Sequence, residues 1–279
     1  VKVSVIIPFY SNIPGILIKS VQSCLDQTYR DIELIVVDDC SPLIAEKELS
    51  SINDKRLNII RNATNLNGAV SRNKGVKIAR GEVIAFLDYD DIWLPEKISI
   101  QLDYLKSLEN ENSVIYAKSV VLDGNRKFIV PKYSIRENQS VGDYMFHEKQ
   151  LIQTSGILLY AKLAREICFD DLKRHQDYQY CLSLEKNGAS FFLATNKPLY
   201  KFIQIHKKND YEFSIHWLER YSGVLSKKAI KAFQKKVVLS SMIGQNEMKC
   251  AIKYAVENRI VVSLFSISIK KMIKKIVVK

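Results

Sequence analysis

The chain lacks any cysteine arrangement that could build a site or a scaffold: its five cysteines, Cys24, Cys40, Cys168, Cys181 and Cys250, are odd in number and show no CxxC spacing. This excludes a zinc site of the usual spacing and a disulfide framework, and it fits a reduced, cytoplasmic compartment. A basic start followed by a cleavage site is also missing, because Val1–Tyr10 already reads as strand; the expectation is a chain without a secretory leader. No apolar run reaches the ~20 residues that a membrane-spanning helix requires. No repeat or low-complexity tract interrupts the sequence. What is present is 279 residues, 47% of them hydrophobic, enough to bury a core in one large α/β domain with an appendage or in two small domains.

The net charge of +12 is unevenly placed. Residues 1–200 hold 25 Lys and Arg against 25 Asp and Glu, whereas residues 201–279 hold 17 against 5. A tail this basic points to nucleic acid, an anionic membrane surface or a solvated helical face. Within it, Arg259–Lys279 alternates Ile, Val and Phe clusters with Lys270, Lys271, Lys274, Lys275 and Lys279. Such a segment reads as a basic amphipathic element lying on an anionic surface. The alternative is a terminal helix packed on its own domain. Against nucleic acid, Tyr211, Phe213, Trp217 and Tyr221 are spaced like one helix face rather than a stacking platform.

Read in order, Val3–Pro8 is a buried strand, and Pro14 opens a helix to about Gln27 with Leu17, Val21 and Cys24 in its apolar stripe. Glu33–Val37 is a second strand ending in Asp38-Asp39, and Leu57–Arg61 a third. Asn67-Gly68 starts a helix that Gly81 closes as a C-cap. Pro95–Leu108 is an amphipathic helix and Ser113–Leu122 a strand; residues 123–150 are irregular, with a hairpin turn at Gly124-Asn125. Gln153–Tyr160 is a strand, Arg174–Asn187 a helix, and Phe191–Ala194 and Leu199–Ile205 two short strands. Beyond Tyr211 the chain is helical. Strands alternating with helices predict an α/β fold with a mostly parallel, doubly wound sheet.

The stretch Gly81–Pro95, GEVIAFLDYDDIWLP, stands at the centre of this pattern. Val83–Leu87 has no polar face and so reads as a strand buried on both sides. Asp88, Asp90 and Asp91 then fall at its carboxyl end, where open α/β sheets bind ligands. Asp88 and Asp90 sit at i and i+2 and can share a face toward one hard cation and the phosphates it carries. The competing reading is a solvated acidic turn in which Asp91 caps a helix containing Ile92–Pro95.

With these pieces assembled, the chain resembles a family 2 glycosyltransferase of the GT-A fold. The resemblance is carried by VSVIIPFYS, SVQSCLDQTYRDIELIVVDDCSP, NGAVSRNKGVKIARGEVIAFLDYDDIWLPEKI and RHQDYQYCLSLEKNG, covering residues 3–100 continuously and 151–206 loosely. It implies a catalytic domain over 1–210, divided into a nucleotide-sugar-binding half (1–110) and an acceptor half (111–210), followed by a helical basic region over 211–279. It implies transfer of one sugar, with inversion, from a UDP-sugar to a glycan or lipid-linked acceptor. Pro8 and Tyr10 would line the nucleoside pocket, Asp39 would accept from uracil, and Asp38 would hold the loop. Arg72 and Asn73 would face the nucleotide, where a guanidinium suits a diphosphate. Asp88-Tyr89-Asp90 matches the DxD motif, so that Asp90, with Asp88, would hold Mn²⁺ or Mg²⁺; His206 resembles a residue completing that shell, and Asp91 would serve the cation, the sugar or the cap. Asp177 aligns with the general base.

Departures from the family pattern are Cys40 where Gly is common and Gln176 where Glu precedes the base. The QxxRW element of processive synthases is missing, which implies one transfer per encounter. The resemblance implies no nucleic-acid partner and a place on the inner face of the cytoplasmic membrane. Two other classes compete: a nucleotidyltransferase acting on sugar phosphates, although Phe9–Gly15 carries no basic residue to cradle a phosphate, and a non-catalytic binder of membrane or polyanion.

Overall fold

The computed structural model describes residues 1–205 and 210–267. The chain forms two compact units. The first comprises Val1–Val141 and Gln150–Ile205, and the second Gly142–Lys149 with the chain beyond Ile205.

The first unit is built on one sheet of the strands β1 (Val3–Phe9), β2 (Ile32–Asp38), β3 (Leu57–Arg61), β4 (Val83–Phe86), β5 (Ile92–Trp93), β6 (Ser113–Asp123), β7 (Arg126–Val130), β8 (Leu158–Tyr160) and β9 (Ser190–Ile203). Their order is β3-β2-β1-β4-β8-β6-β9-β5, with β7 on β6. The four strands at the β3 end run parallel, as does the β6–β9 pair. β8 runs antiparallel to both β4 and β6, so the sheet is mixed where the second half of the unit joins the first. Every position of β1, β2 and β4 is buried, the polar Ser4, Glu33 and Asp38 among the apolar majority included, as in a parallel sheet covered on both faces by helices. Those helices are α1 (Ile16–Leu25), α2 (Ala45–Glu48), α3 (Asn67–Ile78), α4 (Lys97–Ser107), α5 (Ala161–Glu166) and α6 (Gln176–Lys186).

Several local expectations change. The α3 helix ends at Ile78, and Gly81 is not its cap: a Cβ there would come within 2.7 Å of the Lys2 carbonyl oxygen, so glycine permits close chain approach instead. Ile92–Trp93 is not helical but pairs antiparallel with Lys201 and Tyr200 of β9. The two short strands expected near the end of the unit are one long strand whose register with β6 shifts around Pro198, where the missing N–H is absorbed by the irregularity. Residues 123–150 are less irregular than expected. Gly124, at φ 57°, turns the β6–β7 hairpin, and Asp143–His147 forms a π-helical turn.

The second unit contains that turn and the helices α7 (Tyr211–Tyr221), α8 (Lys227–Phe233), α9 (Ser240–Gly244) and α10 (Met248–Glu257), with a second π-helical turn at Gln234–Leu239 between α8 and α9. Asp210 and Ser226 cap α7 and α8 by accepting from Phe213 N and Ala229 N at 2.9 and 3.1 Å. Phe146, Trp217 and Phe233 form its aromatic core, with Trp217 and Phe233 stacked at 4.9 Å. Trp217 is therefore packing on a helix face. Among the described residues no helix is long and apolar enough to cross a membrane. In the basic amphipathic segment expected over Arg259–Lys279, Ile260 and Leu264 are buried and Val262 and Phe265 are exposed; positions 268–279 lie outside the described residues.

Candidate active site

The acids at the end of β4 are held by a cradle that polar residues provide. Leu87 N still bonds Ile6 O at 3.0 Å, and the chain then leaves the sheet in a turn closed by Asp91 N donating to Asp88 O at 3.0 Å. Asp88 forms an ion pair with Arg72 of α3, accepts from Thr154 Oγ1 at 3.1 and 3.2 Å, and receives a longer contact from Gln153 Nε2 at 3.5 Å. Its backbone N–H donates to Ser155 Oγ at 2.9 Å. Thr154 and Ser155 belong to a 3₁₀ turn, Thr154–Gly156, where the sequence predicts strand. A run of small polar residues, QTS, directly before an apolar strand is the signal that could have marked them.

Asp91 is buried, accepts from Gln153 Nε2 and from Ile203 N at 3.1 Å each, and caps no helix. Burial raises its carboxyl well above the ordinary range, with Asp88 and Asp90 adding like charge. Asp90 is half-buried beside it. Tyr89 turns inward, packing edge-on against Phe9 at 5.6 Å. Among the described residues no three His, Cys, Asp or Glu side chains converge as a ready-made metal cage.

Arg72 is the hub of the site. Besides Asp88, it donates from Nη1 to Gln176 Oε1 at 2.7 Å, and its guanidinium lies over the Phe169 ring at 5.4 Å. Gly68 makes room for this: a Cβ there would lie 3.1 Å from Arg72 Nη1 and 3.2 Å from Gln176 Oε1. Buried Nε of Arg72 has no partner among the described residues.

Gln176 opens α6, and Asp177 follows it. The Asp177 carboxylate is half-buried and accepts from Tyr178 N at 2.9 Å. Desolvation pushes its carboxyl up to about 6; the charge of Asp88 adds to the rise, while the Tyr178 N–H and Arg72 oppose it. His175, in the left-handed region at φ 59°, stacks on Tyr178 at 5.4 Å. Burial, helped by Arg174, lowers its imidazole to about 4, so it is neutral at pH 7.

These groups share one cavity of about 430 Å³, lined by Arg72, Asp88, Gln153, Thr154, His175 and Asp177 among others. The remaining expected residues are placed differently. Asp38 is spent on its own loop, accepting from Ser41 N at 2.8 Å and Ala45 N at 2.9 Å and pairing with Arg61. Asp39 Oδ1 accepts from Asn62 Nδ2 at 2.8 Å and Leu66 N at 2.9 Å. Pro8 is buried in β1 opposite Val37, and Tyr10 just beyond is exposed. Asn73 braces Phe169 on both sides, donating to its carbonyl at 2.7 Å and accepting from its N–H at 3.0 Å. His206 lies outside the described residues.

Residues 4–164 match the glycosyl transferase family 2 profile. The amylovoran biosynthesis glycosyltransferase AmsB of Erwinia amylovora is 31% identical over 250 residues, spanning 84% of this chain and 82% of that protein. The Escherichia coli UDP-Glc:alpha-D-GlcNAc-diphosphoundecaprenol beta-1,3-glucosyltransferase WfgD is 35% identical over 133 residues, 47% of this chain and 51% of its own. Among solved structures, S. aureus TarS 1-349 in complex with UDP-GlcNAc superposes with a TM-score of 0.68 at 18% identity, covering 92% of this chain and 80% of that one.

Proposed function

The chain belongs to glycosyl transferase family 2 and has the GT-A fold, and from that premise we propose that it transfers one sugar, with inversion, from a UDP-sugar to a hydroxyl of a glycan or lipid-linked acceptor in the synthesis of a cell-surface polysaccharide. The observation that carries this reading is the single cavity in which Asp88, from the end of β4, and Asp177, from the start of α6, meet across Arg72 and Gln176. A UDP donor is supported by the ligand of the TarS complex and the donor named for WfgD, and a lipid diphosphate carrier by the acceptor named for WfgD. The basic second unit supports work at an anionic membrane surface on the cytoplasmic side.

In this reading Asp177 takes the proton of the acceptor hydroxyl as its oxygen attacks the anomeric carbon, and UDP leaves from the opposite face. A carboxyl pushed up to about 6 by burial suits that role, because it is ionised at pH 7 yet basic enough to accept a proton. Arg72 and Thr154 fix Asp88 toward the donor. Asp39 Oδ2, which takes no hydrogen bond from the described residues, is left for the base, with Pro8 and Tyr10 beside it. Asn73 acts one step away, by bracing the Phe169 segment against α3.

The chemistry of the acidic turn fits a divalent cation. Its donors are hard carboxylate oxygens, and Asp88 and Asp90 crowd like charge against Asp91 on one turn, which a cation would relieve. Asp90, with Asp88 two positions before it in the DxD motif, is the residue to hold Mn²⁺ or Mg²⁺. When bound, the ion would stabilise negative charge on the departing diphosphate.

The test is a panel of UDP-sugars scored for hydrolysis and for protection against thermal unfolding, with and without Mn²⁺. A true donor raises the melting temperature by mass action in the presence of the ion. A protein that no UDP-sugar protects and that hydrolyses none would sink the proposal.

A further inference from the structure

A second cavity among the described residues is lined by none of these acids. It is a cleft of about 670 Å³ in the second unit, lined by Lys149, Lys228, Lys231, Lys235, Lys236 and Val262 among others. Lys228, Lys231 and Lys235 recur at spacings of three and four along α8 and the π-helical turn that continues it, which gathers them on one face. Like charges at these spacings repel, and among the described residues no carboxylate lines the cleft. Both π-helical turns border it, one through His147 and the other through Lys235 and Lys236; such turns cost regular hydrogen bonding and recur at functional sites.

Lys236 is anchored, with Nζ donating to the Phe146 carbonyl at 2.5 Å. Burial and the nearby charge of Lys149 push its ammonium down to about 8. A bound anion would relieve both strains.

The other wall carries apolar side chains among small polar ones: Val262, 84% exposed, and Ile267 line it with Ser263 and Ser266. A free phosphate would use the ammonium groups and ignore this wall; a hydrocarbon chain alone would do the reverse. An amphiphile with a phosphate at one end satisfies both.

We infer that this cleft holds the phosphate or diphosphate of a lipid-linked acceptor, with Lys231, Lys235 and Lys236 on the phosphate oxygens and Val262 and Ile267 against the start of the hydrocarbon chain. The assignment rests on the glycosyl-transfer reading for its acceptor role, but the binding itself is measured without donor.

The probes are farnesyl diphosphate, inorganic pyrophosphate, farnesol and phosphatidylglycerol vesicles, titrated into the full-length protein. Farnesyl diphosphate is expected to bind at least about tenfold more tightly than pyrophosphate or farnesol, and more weakly as salt screens the lysines. The double variant Lys231→Ala/Lys235→Ala should lose about tenfold in that affinity, and Lys231→Arg/Lys235→Arg should keep it. Circular dichroism and protection by UDP-sugar, neither of which involves these surface lysines, confirm that each variant is folded.

Unchanged affinity in the alanine variant overturns the assignment. So does binding of vesicles with no affinity for farnesyl diphosphate, which would make the cleft a membrane contact. Loss of cleft binding with UDP-sugar protection intact in the wild type removes this inference alone. Farnesyl diphosphate binding by a protein that no UDP-sugar protects removes the catalytic reading, and with it the acceptor role of the cleft.

Discussion

Asp88 and Asp177 line one cavity, and the charge of Asp88 is part of what holds the Asp177 carboxyl up at about 6. A base acts only in its ionised form. Activity, measured as kcat/KM for transfer, is therefore expected to fall as pH drops through about 6 and to level off above it. Asp177→Asn should leave UDP-sugar affinity nearly intact and lower turnover by ~10²-fold or more. Wild-type turnover in that variant would mean that the proton goes elsewhere.

Donor binding separates from chemistry at Asp90. Asp90→Asn puts a neutral amide where a hard cation needs a carboxylate, so Mn²⁺-dependent protection by UDP should weaken by about tenfold or more. Asp91, tied to Gln153 and the Ile203 N–H, is poorly placed to take over. Equal Mn²⁺-dependent affinity for UDP in a folded Asp90→Asn protein would refute the cation assignment.

How much of this is legible in the sequence depends on the kind of signal each residue leaves. β4 and the acids after it can be read directly, since an unbroken apolar run marks a strand buried on both faces and the carboxylates that follow it must lie at the edge of the sheet. Asp177 is legible only through the resemblance; nothing in the period of α6 marks it. The polar cradle of Gln153, Thr154 and Ser155 leaves only a run of polar residues before an apolar strand, and its role is not legible because it comes from contacts with residues more than sixty positions away. Ile92–Trp93 reads as helix for the same reason: its strand exists only through β9. Pro198 looks like a strand break and is absorbed at a register shift. Lys97 leaves no trace at all, since a lysine on an amphipathic helix is expected to face water.

Lys97 is fully buried, with Nζ donating to Gln101 Oε1 at 2.5 Å and lying 4.0 Å from the centre of the Trp93 ring. Desolvation lowers its ammonium to about 7. In the unfolded chain the group titrates in the ordinary lysine range, so between about pH 7 and that range the unfolded state binds more protons and stability rises with pH. The window closes near pH 9, where unfolded Cys24 begins to ionise while burial holds the folded thiol up at about 12. Lys97→Met should remove most of the rise and, by relieving the desolvation of the ammonium, stabilise the protein at pH 7 by about 1 kcal/mol or more, the equivalent of roughly one pKa unit. Denaturant melts from about pH 6.5 to 9 would check it; a variant less stable than wild type throughout would show that the ammonium contacts outweigh desolvation.

Gln176 offers a gain-of-charge test of the same cavity. Its Oε1 already accepts from Arg72, and a glutamate can keep that bond, whereas Nε2 donates to the Leu172 carbonyl at 2.6 Å and a carboxylate cannot. Gln176→Glu should therefore fold with a loss of about 1 kcal/mol, the usual net worth of one hydrogen bond. The new charge sits next to Asp177 and competes with Asp88 for Arg72, a cation that opposes the rise at Asp177. Both effects favour the protonated form of Asp177. The acid limb of kcat/KM is thus expected to move upward from about 6 in the variant, with the plateau rate at high pH changed less than the rate at about pH 6. A limb that stays in place while Asp177→Asn remains inactive would mean that Arg72 neutralises the added carboxylate completely, and a limb that moves downward would contradict the electrostatic account of Asp177.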